Sequence, residues 1–345
     1  RKMKDILERF KQYKESVTLF EGEEDKALHQ KSIAIMKMLS QLAETLGVGE
    51  HVYVVGGAVR NFVINKPIKD IDLVIDSIAL NGRGSDWFAD NLIKYVNGSK
   101  DNSAVDQYGV AIVSLPSDFD FGGVDLSKEV IEIANARTEK YGGDSGKGYK
   151  PSEVIPASIE DDVIRREFTF NTLMWRLSDL QNGPENAEIV DLTGKGLSDL
   201  ERGVMRTPAP PDKTFSDDPS RLIRAIKFKL RYDFDIDPET LNSIKKNAHK
   251  IKNIPNDAVS KILINDVFLV RQDVSTLEYL KEFNLLGPLT ELCHENQQFH
   301  STLNNWSNRS ADLDFMFAMR DYGFNVGSKV NFLGDKVDIF RKNAK

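Results

Sequence analysis

The sequence has a single cysteine, Cys293, among 345 residues. One thiol excludes an internal disulfide framework and predicts a reducing, cytoplasmic setting. Long apolar runs are also missing. No stretch approaches the roughly 20 residues needed to cross a bilayer, so no membrane partner is expected. There is no HExxH and no Cys/His cluster, and the five histidines are scattered, so a zinc site is not expected. Nor is there a basic excess: 46 Lys and Arg face 53 Asp and Glu, a formal net charge of −7. That balance argues against broad, sequence-independent binding of nucleic acid but leaves room for a local basic groove. The charged opening stretch RKMKDILERFKQYKES reads as helical rather than as a cleaved leader.

The length fits two to three domains with a sizeable core. In LERFKQY and KSIAIMKMLSQLAETLG, apolar residues recur at helical spacing, which predicts an N-terminal helical arm over 1–48. VYVV, IDLVI, VAIVSL and EVIEIANA are strand candidates and FADNLIKYV a helix candidate, giving a small mixed head over 49–178. The Gly-rich stretch TEKYGGDSGKGYKPSE (138–153) predicts a mobile loop. From about residue 158 the pattern turns mainly helical. SDDPSRLIRAIKFKL, PETLNSIKKNAHKI, DAVSKILINDVFLV and STLEYLKEFNLL are successive amphipathic segments. The expected fold is α+β: the mixed-sheet head, a helical neck over 179–292, and a short helical body or tail over 293–345 containing ADLDFMFAMRDYGF.

Read as a strand, KDIDLVID puts Asp70, Asp72, Val74 and Asp76 on one face. Ile71, Leu73 and Ile75 then form the opposite face, packed on helices. Neighbouring carboxylates disfavour each other's ionisation, and a hard divalent cation such as Mg²⁺ resolves the conflict. The plain alternative is an acidic, solvated edge strand. Gly56-Gly57 follow VYVV and precede the helical AVRNFVI, where glycines let backbone N–H groups approach phosphate oxygens. A glycine turn followed within one short helix by Asp-x-Asp makes a phosphate cradle and metal ligands adjoin.

GGAVR…KDIDLVI resembles the head motif of the class II tRNA nucleotidyltransferase and bacterial poly(A) polymerase family, within the DNA polymerase beta-like superfamily. The resemblance continues in order. IEIANAR (131–137) is similar to the family's strand ending in Arg, and DDVIRREFTFNTL (161–173) to its RRDFTxNAL segment. IVDLTGKGLSDLERGVMRT (189–207) is similar to its Asp-x-x-Gly-Gly-x-x-Asp-Leu stretch, with Lys195 in place of the second Gly. FSDDPSRLIRAIKF (215–228) is similar to its EDPxRxxRAxRF helix, with Asp217 in place of Glu.

The resemblance implies template-independent transfer of nucleotides from ATP and CTP to an RNA 3′ end, with tRNA as the expected partner. Asp70 and Asp72 would hold two Mg²⁺, and Glu132, alternating with Ile131 and Ile133, would be a third carboxylate. Gly56, Gly57, Arg60, Arg137, Arg165, Arg166, Glu167 and Asn171 would hold the triphosphate and ribose. Glu167 stands where the family has Asp, one methylene shorter. Asp217, Asp218, Arg221 and Arg224 would read the base. If SDDPSRLIRA is one helix, Asp217 and Asp218 lie four and three residues before Arg221 and share its face. The ordinary readings of Arg60 as a surface arginine, of Asn171 as a capping residue, and of Ser216 as an N-cap followed by an ion pair stay open. Lys245, Lys246, Lys250 and Lys252, with Arg224 and Lys227, either meet RNA phosphates or form a solvated face. Completion of a tRNA CCA end is the leading expectation, with a poly(A) polymerase or a nucleotidyltransferase-like RNA-binding protein of altered substrate as the alternatives. The sequence carries no signal of oligomeric state.

Overall fold

The structure is a computed structural model that describes residues 23–99, 103–106, 108–141, 151–310 and 313–326. The helix expected at LERFKQY and the Gly-rich core of the expected loop lie outside the described residues. The described chain forms two compact units. The first runs up to Glu139 and resumes over Glu153–Arg202. The second holds the residues from Gly203 on, with Lys140, Tyr141, Pro151 and Ser152. These boundaries differ from the expected ones: the long N-terminal helix belongs to the first unit, and the division falls after Arg202 rather than after residue 178.

The first unit opens with α1 (Glu23–Leu46), whose first turn carries Glu23, Glu24 and Asp25 on the positive end of the helix dipole. It continues through β1 (Val52–Val55), α2 (Gly57–Val63), β2 (Asp72–Ile75), α3 (Ser85–Tyr95), β3 (Ser103–Val105), β4 (Ala111–Ser114) and β5 (Val130–Asn135). It closes with α4 (Ile159–Ile164), β6 (Met174–Arg176) and α5 (Gly196–Arg202). The sheet order is β6-β1-β2-β5-β4-β3, with β2 and β5 parallel and the other neighbours antiparallel.

Alternation along the strands sorts the side chains. Leu73, Ile131, Ile133, Ala111 and Val113 share one face and are buried where α3 packs on β4 and β5. The opposite face is apolar at one end. Tyr53, Val55, Val74 and Met174 cluster there with Ile159 and Val163 of α4 and with Val190. The expectation of one apolar and one acidic face therefore holds only for part of the sheet. Beyond Val74 the same face stays open, and there Asp72, Glu132 and Ile112 stand in one row across β2, β5 and β4.

Two further expectations change. The head does not turn mainly helical from residue 158, because Met174–Arg176 returns to the sheet as the edge partner of β1. The flanks of the Gly-rich loop are strands, Arg137–Lys140 and Glu153–Pro156, paired as a separate ribbon.

The second unit is helical: α6 (Pro211–Asp217), α7 (Ser220–Tyr232), α8 (Pro238–Asn247), α9 (Asn256–Leu263), α10 (Val274–Glu282), α11 (Leu286–Glu295), α12 (Gln297–Ser310) and α13 (Leu313–Asp321). Its turns follow local chemistry. Asp237 caps α8 by accepting from the Thr240 N–H at 3.3 Å, with Pro238 at the first helical position. Asp273 caps α10 through the Ser275 N–H at 2.9 Å. Among the described residues no helix is long and apolar enough to cross a membrane.

Candidate active site

In the first unit, Asp72 opens β2 directly opposite Glu132 of the parallel neighbour β5. Asp70 is not on the strand. It lies in the irregular stretch that ends at Ile71 and is exposed, so the expected i, i+2 pairing on one strand face is corrected to a strand carboxylate with a loop carboxylate beside it. Irregular backbone is what allows Asp70 to leave the alternation of the sheet. Asp76, expected on the same face, is buried and committed to structure. Its carboxylate accepts from the Ala79 N–H at 2.9 Å and the Ile159 N–H at 3.2 Å.

The electrostatics at Asp72 show what the cluster needs. Burial, then the charges of Glu132 and Asp70, push its carboxyl up from 3.8 to about 6, with only Arg166 pulling the other way. Among the described residues no three of His, Cys, Asp and Glu stand close enough to hold a metal ion on their own. A donor set of one or two carboxylates is nonetheless the one Mg²⁺ takes when phosphate oxygens and water complete its shell. The convergence of like charge at Asp72 fits such a cation, and the all-oxygen chemistry of Asp72, Glu132 and Asp70 suits it.

Four residues downstream of the α4 N-cap lies a carboxylate that the sequence reading did not single out. Asp162 is fully buried and holds both expected arginines. Arg165 donates from Nε (3.1 Å) and Nη2 (2.7 Å) to Oδ1, and Arg166 from Nε (3.0 Å) and Nη2 (2.8 Å) to Oδ2. The Arg137 N–H adds a bond to Oδ1 at 3.1 Å. Burial would raise the Asp162 carboxyl, but Arg166 and Arg165 outweigh it and hold the group below its ordinary value. The signal was present: Asp162, Arg165 and Arg166 are spaced i, i+3 and i, i+4. Ser158, which caps α4 by accepting from the Asp161 N–H at 3.3 Å, fixes where that turn begins.

Arg137 and Arg165 converge on a second carboxylate, Glu139, at 3.0 and 3.1 Å. The remaining candidates form a chain. Arg60 is buried rather than a surface arginine. It donates from Nη1 to Asn171 Oδ1 at 2.7 Å, and Asn171 Nδ2 donates to Glu167 Oε1 at 3.2 Å. Glu167 thus ties into the arginine of α2, and Asn171 is a buried bridge rather than a cap. Gly56 has a φ of +68° and caps α2, and a Cβ there would meet nothing within 4 Å, so the turn opens onto free space. The Gly56 N–H itself donates to the Leu173 carbonyl at 3.3 Å. Lys195, where the family has Gly, is exposed and has no positive φ, so nothing there demands glycine. Its neighbour Gly196 does face a constraint, because a Cβ would lie 2.8 Å from Leu173 Cδ2 and the Thr169 carbonyl.

In the second unit, the expected single helix through SDDPSRLIRA is broken. α6 ends at Asp217, Asp218 is extended (φ −129°, ψ 93°), and α7 starts at Ser220. The residue before a proline is forced out of the helical region, and Pro219 does this to Asp218. Asp217 therefore does not share a face with Arg221. It pairs with Lys213 at 2.6 Å. Ser216 lies inside α6 and is not an N-cap.

Asp218 instead organises the start of α7. Its Oδ1 accepts from the Ser220 N–H at 2.9 Å, and its Oδ2 accepts from Arg224 Nη2 at 2.9 Å. Arg221 is buried, donates from Nη1 to the Thr214 carbonyl at 3.2 Å, and keeps its Nε 3.6 Å from Asp218 Oδ2 with no hydrogen-bond partner. A buried guanidinium N–H left unsatisfied is costly, so it marks a place where a further acceptor belongs. Of the lysines expected to meet RNA, Lys227 pairs with Asp266, Lys246 with Asp212 and Lys252 with Glu291, while Lys250 donates to Ser216. These ion pairs cancel most of the expected positive face.

A mixed sheet with this carboxylate pair, followed by helices, has the fold of the CCA-adding enzymes. A solved Thermotoga maritima CCA-adding enzyme complexed with tRNA aligns over 88% of this chain and 68% of its own, with TM-score 0.57 and 20% identity, which shows the fold alone. Residues 52–206 match the Poly A polymerase head domain. A tRNA nucleotidyltransferase of Schizosaccharomyces pombe is 31% identical over 196 residues, 55% of this chain and 37% of that protein. Poly(A) polymerase I of Salmonella typhi is 26% identical over 278 residues, 77% of this chain and 52% of that protein. The head region of this chain is thus similar to the poly(A) polymerase head domain, and its curated relatives are tRNA nucleotidyltransferases and poly(A) polymerases. Its aligned part spans half or less of the length of most of the curated relatives it matches.

Proposed function

We propose that this chain is a template-independent RNA nucleotidyltransferase that adds nucleotides from CTP and ATP to an RNA 3′ end, completing the CCA end of a tRNA. The RNA 3′-hydroxyl attacks the α-phosphorus in line, a new phosphodiester bond forms, and the bond to pyrophosphate breaks. The observation that carries this reading is the Asp72–Glu132 pair across adjacent parallel strands, where burial first, and then the charges of Glu132 and Asp70, raise the Asp72 carboxyl to about 6, a strain that a cation would relieve. Two Mg²⁺ bound there would lower the pKa of the attacking hydroxyl and offset the charge of the leaving pyrophosphate.

The side chains supply the rest. Asp72 and Glu132, with Asp70 beside them, would be the protein's oxygen ligands, with phosphate oxygens and water completing the shell. Arg166, held by Asp162 and felt by Asp72, is placed to meet triphosphate oxygens with a planar donor set. Arg165 and Arg137 are both tied to Glu139 and share the Asp162 acceptor with that arginine. Arg60, Asn171 and Glu167 present a hydrogen-bonded row to the ribose, and the open turn at Gly56 gives the phosphates room. In the second unit, Asp218 would offer carboxylate acceptors and Arg224 donors to the Watson–Crick edge of C or A, while the buried Arg221 lies 3.6 Å from that carboxylate.

A second reading, addition of A alone, draws support from the poly(A) polymerase match, which covers 77% of this chain. We place the protein in the cytoplasm on its one buried thiol, and fractionation tests that assignment. Incubating the protein with a tRNA that lacks its CCA end, with CTP and ATP separately and together, tests the main reading. Ordered C then A incorporation supports it. Long A tracts without C favour the second reading, and no incorporation rejects both.

A further inference from the structure

Asp218 is extended and lies between α6 and α7, so its carboxylate is set by the groups that bond it. Ser220 supplies two donors to one oxygen. Its N–H at 2.9 Å and its Oγ at 2.5 Å both reach Asp218 Oδ1. The other oxygen, Oδ2, accepts from Arg224 Nη2 at 2.9 Å and lies 3.6 Å from Arg221 Nε, which is buried without a hydrogen-bond partner. Arg224 Nη2 also donates to Ser220 Oγ at 3.4 Å. The serine hydroxyl therefore joins the carboxylate to the arginine, and Asp218, Ser220 and Arg221 are all buried. The chain repeats the first half of this arrangement elsewhere. At the start of α10, the Ser275 N–H and Oγ reach Asp273 Oδ1 at 2.9 and 2.5 Å. That pair is exposed, and Arg271 Nε stands 4.0 Å from Asp273 Oδ2. An Asp-x-Ser turn is by itself a local capping device. What differs at Asp218 is burial, the convergence of two arginines, and an orphan guanidinium N–H that points to a missing acceptor.

We propose that Ser220 is a positioning residue for nucleotide choice, its hydroxyl locking the Asp218 carboxylate with Oδ1 turned to the start of α7 and Oδ2 turned to the arginines. The inference rests on the reading of Asp218 as the group that meets the base. Cytosine and adenine each present an exocyclic amino donor beside a ring-nitrogen acceptor. Uracil and guanine present the reverse, a carbonyl acceptor beside a ring N–H. A carboxylate acceptor fixed next to a guanidinium donor fits the first pattern and sets like against like in the second. Without the hydroxyl, Asp218 keeps the Ser220 N–H but loses its second donor on Oδ1, and Arg224 loses one of its acceptors. The acceptor and donor can then shift to meet the reversed pattern. A site built to hydrogen-bond one pattern discriminates strongly only while its polar groups stay in register.

The experiment compares wild type with Ser220→Ala, the nearly isosteric Ser220→Cys, the conservative Ser220→Thr, and Ser275→Ala as the matched exposed turn. It reads the thermal midpoint, equilibrium binding of CTP, ATP, UTP and GTP, and kcat and KM for addition of each nucleotide. Alanine suits the first turn of a helix, so Ser220→Ala folds, and the cysteine variant, with its weak S–H donor, repeats the test at constant volume. The expected result is that both variants lose about tenfold of the preference for CTP and ATP over UTP and GTP. The loss shows in binding and in kcat/KM, and mostly through KM. Ser220→Thr keeps the hydroxyl and the wild-type preference, and so does Ser275→Ala. A preference within about twofold of wild type in both Ser220→Ala and Ser220→Cys overturns the inference. An equal loss in Ser220→Thr or in Ser275→Ala also overturns it. If wild type adds no nucleotide, the proposed function fails, while the binding preference still decides the role of Ser220.

Discussion

Asp72 and Glu132 face each other across adjacent parallel strands, with burial and the two neighbouring charges raising the Asp72 carboxyl to about 6. For such a group the folded state binds its proton more tightly than the unfolded state. Its stabilising contribution is complete below about pH 3.8 and is lost as pH rises through about 6. In metal-free protein, Asp72→Asn therefore stabilises the fold at pH 8 by at most about 3 kcal/mol and has little effect near pH 3.5. Thermal unfolding across that range checks this, and the same variant loses activity. A gap between the two proteins that shrinks with rising pH contradicts the assignment.

Asp162 shows the opposite sign. Its carboxyl is held below the ordinary value against burial by Arg166 and Arg165. Its stabilisation is present above about pH 4 and is lost as pH falls toward and through the folded value. Asp162→Ala leaves five hydrogen bonds from three arginine residues without their acceptor and costs about 3–5 kcal/mol by denaturant titration. A cost under about 1 kcal/mol contradicts the buried hub.

Asp217 and Asp218 separate cleanly. Asp217 faces Lys213, so Asp217→Ala leaves the choice between CTP and ATP unchanged. Asp218 holds Arg224 and accepts from the Ser220 N–H, so Asp218→Ala scrambles that choice and costs about 1 kcal/mol or more through those lost hydrogen bonds. Single-nucleotide incorporation with each triphosphate measures both. A specificity shift at Asp217 with none at Asp218 reverses the roles given to them.

Two neighbours in the α5 turn give another contrast. Lys195→Gly is close to neutral because nothing at 195 requires glycine. Gly196→Ala drives a methyl group to 2.8 Å from Leu173 Cδ2 and the Thr169 carbonyl, and destabilises by about 1–3 kcal/mol. Equal midpoints for the two variants would show that the turn relaxes freely.

The strands and the glycine turn were legible because short β-branched runs bounded by turn residues have few alternative readings. The order of motifs likewise singled out Arg137, Arg165 and Arg166, which share the Asp162 acceptor in the structure. Other features escaped. Asp70 was placed on a strand because alternation cannot show where pairing begins, and β2 starts only at Asp72. The break at Asp218 is written in the sequence as Asp-Pro, but the helical spacing of Asp217 and Arg221 suggests a continuous face that Pro219 forbids. β6 is three residues long, too short for periodicity to identify, and tertiary pairing with β1 defines it. The ion pairs that neutralise Lys227, Lys246 and Lys252 depend on partners distant in sequence, such as Asp266 with Lys227. No linear pattern shows them.

The central claim is that one protein site, with no template, selects C and then A. Sequencing the 3′ ends of a tRNA lacking CCA, after incubation with the full chain, Mg²⁺, CTP and ATP, tests it most directly. The account predicts ends terminating in CCA, and none extended when Asp72 is replaced by Asn. Homopolymeric A ends, or extension by the Asp72 variant at the wild-type rate, would contradict it.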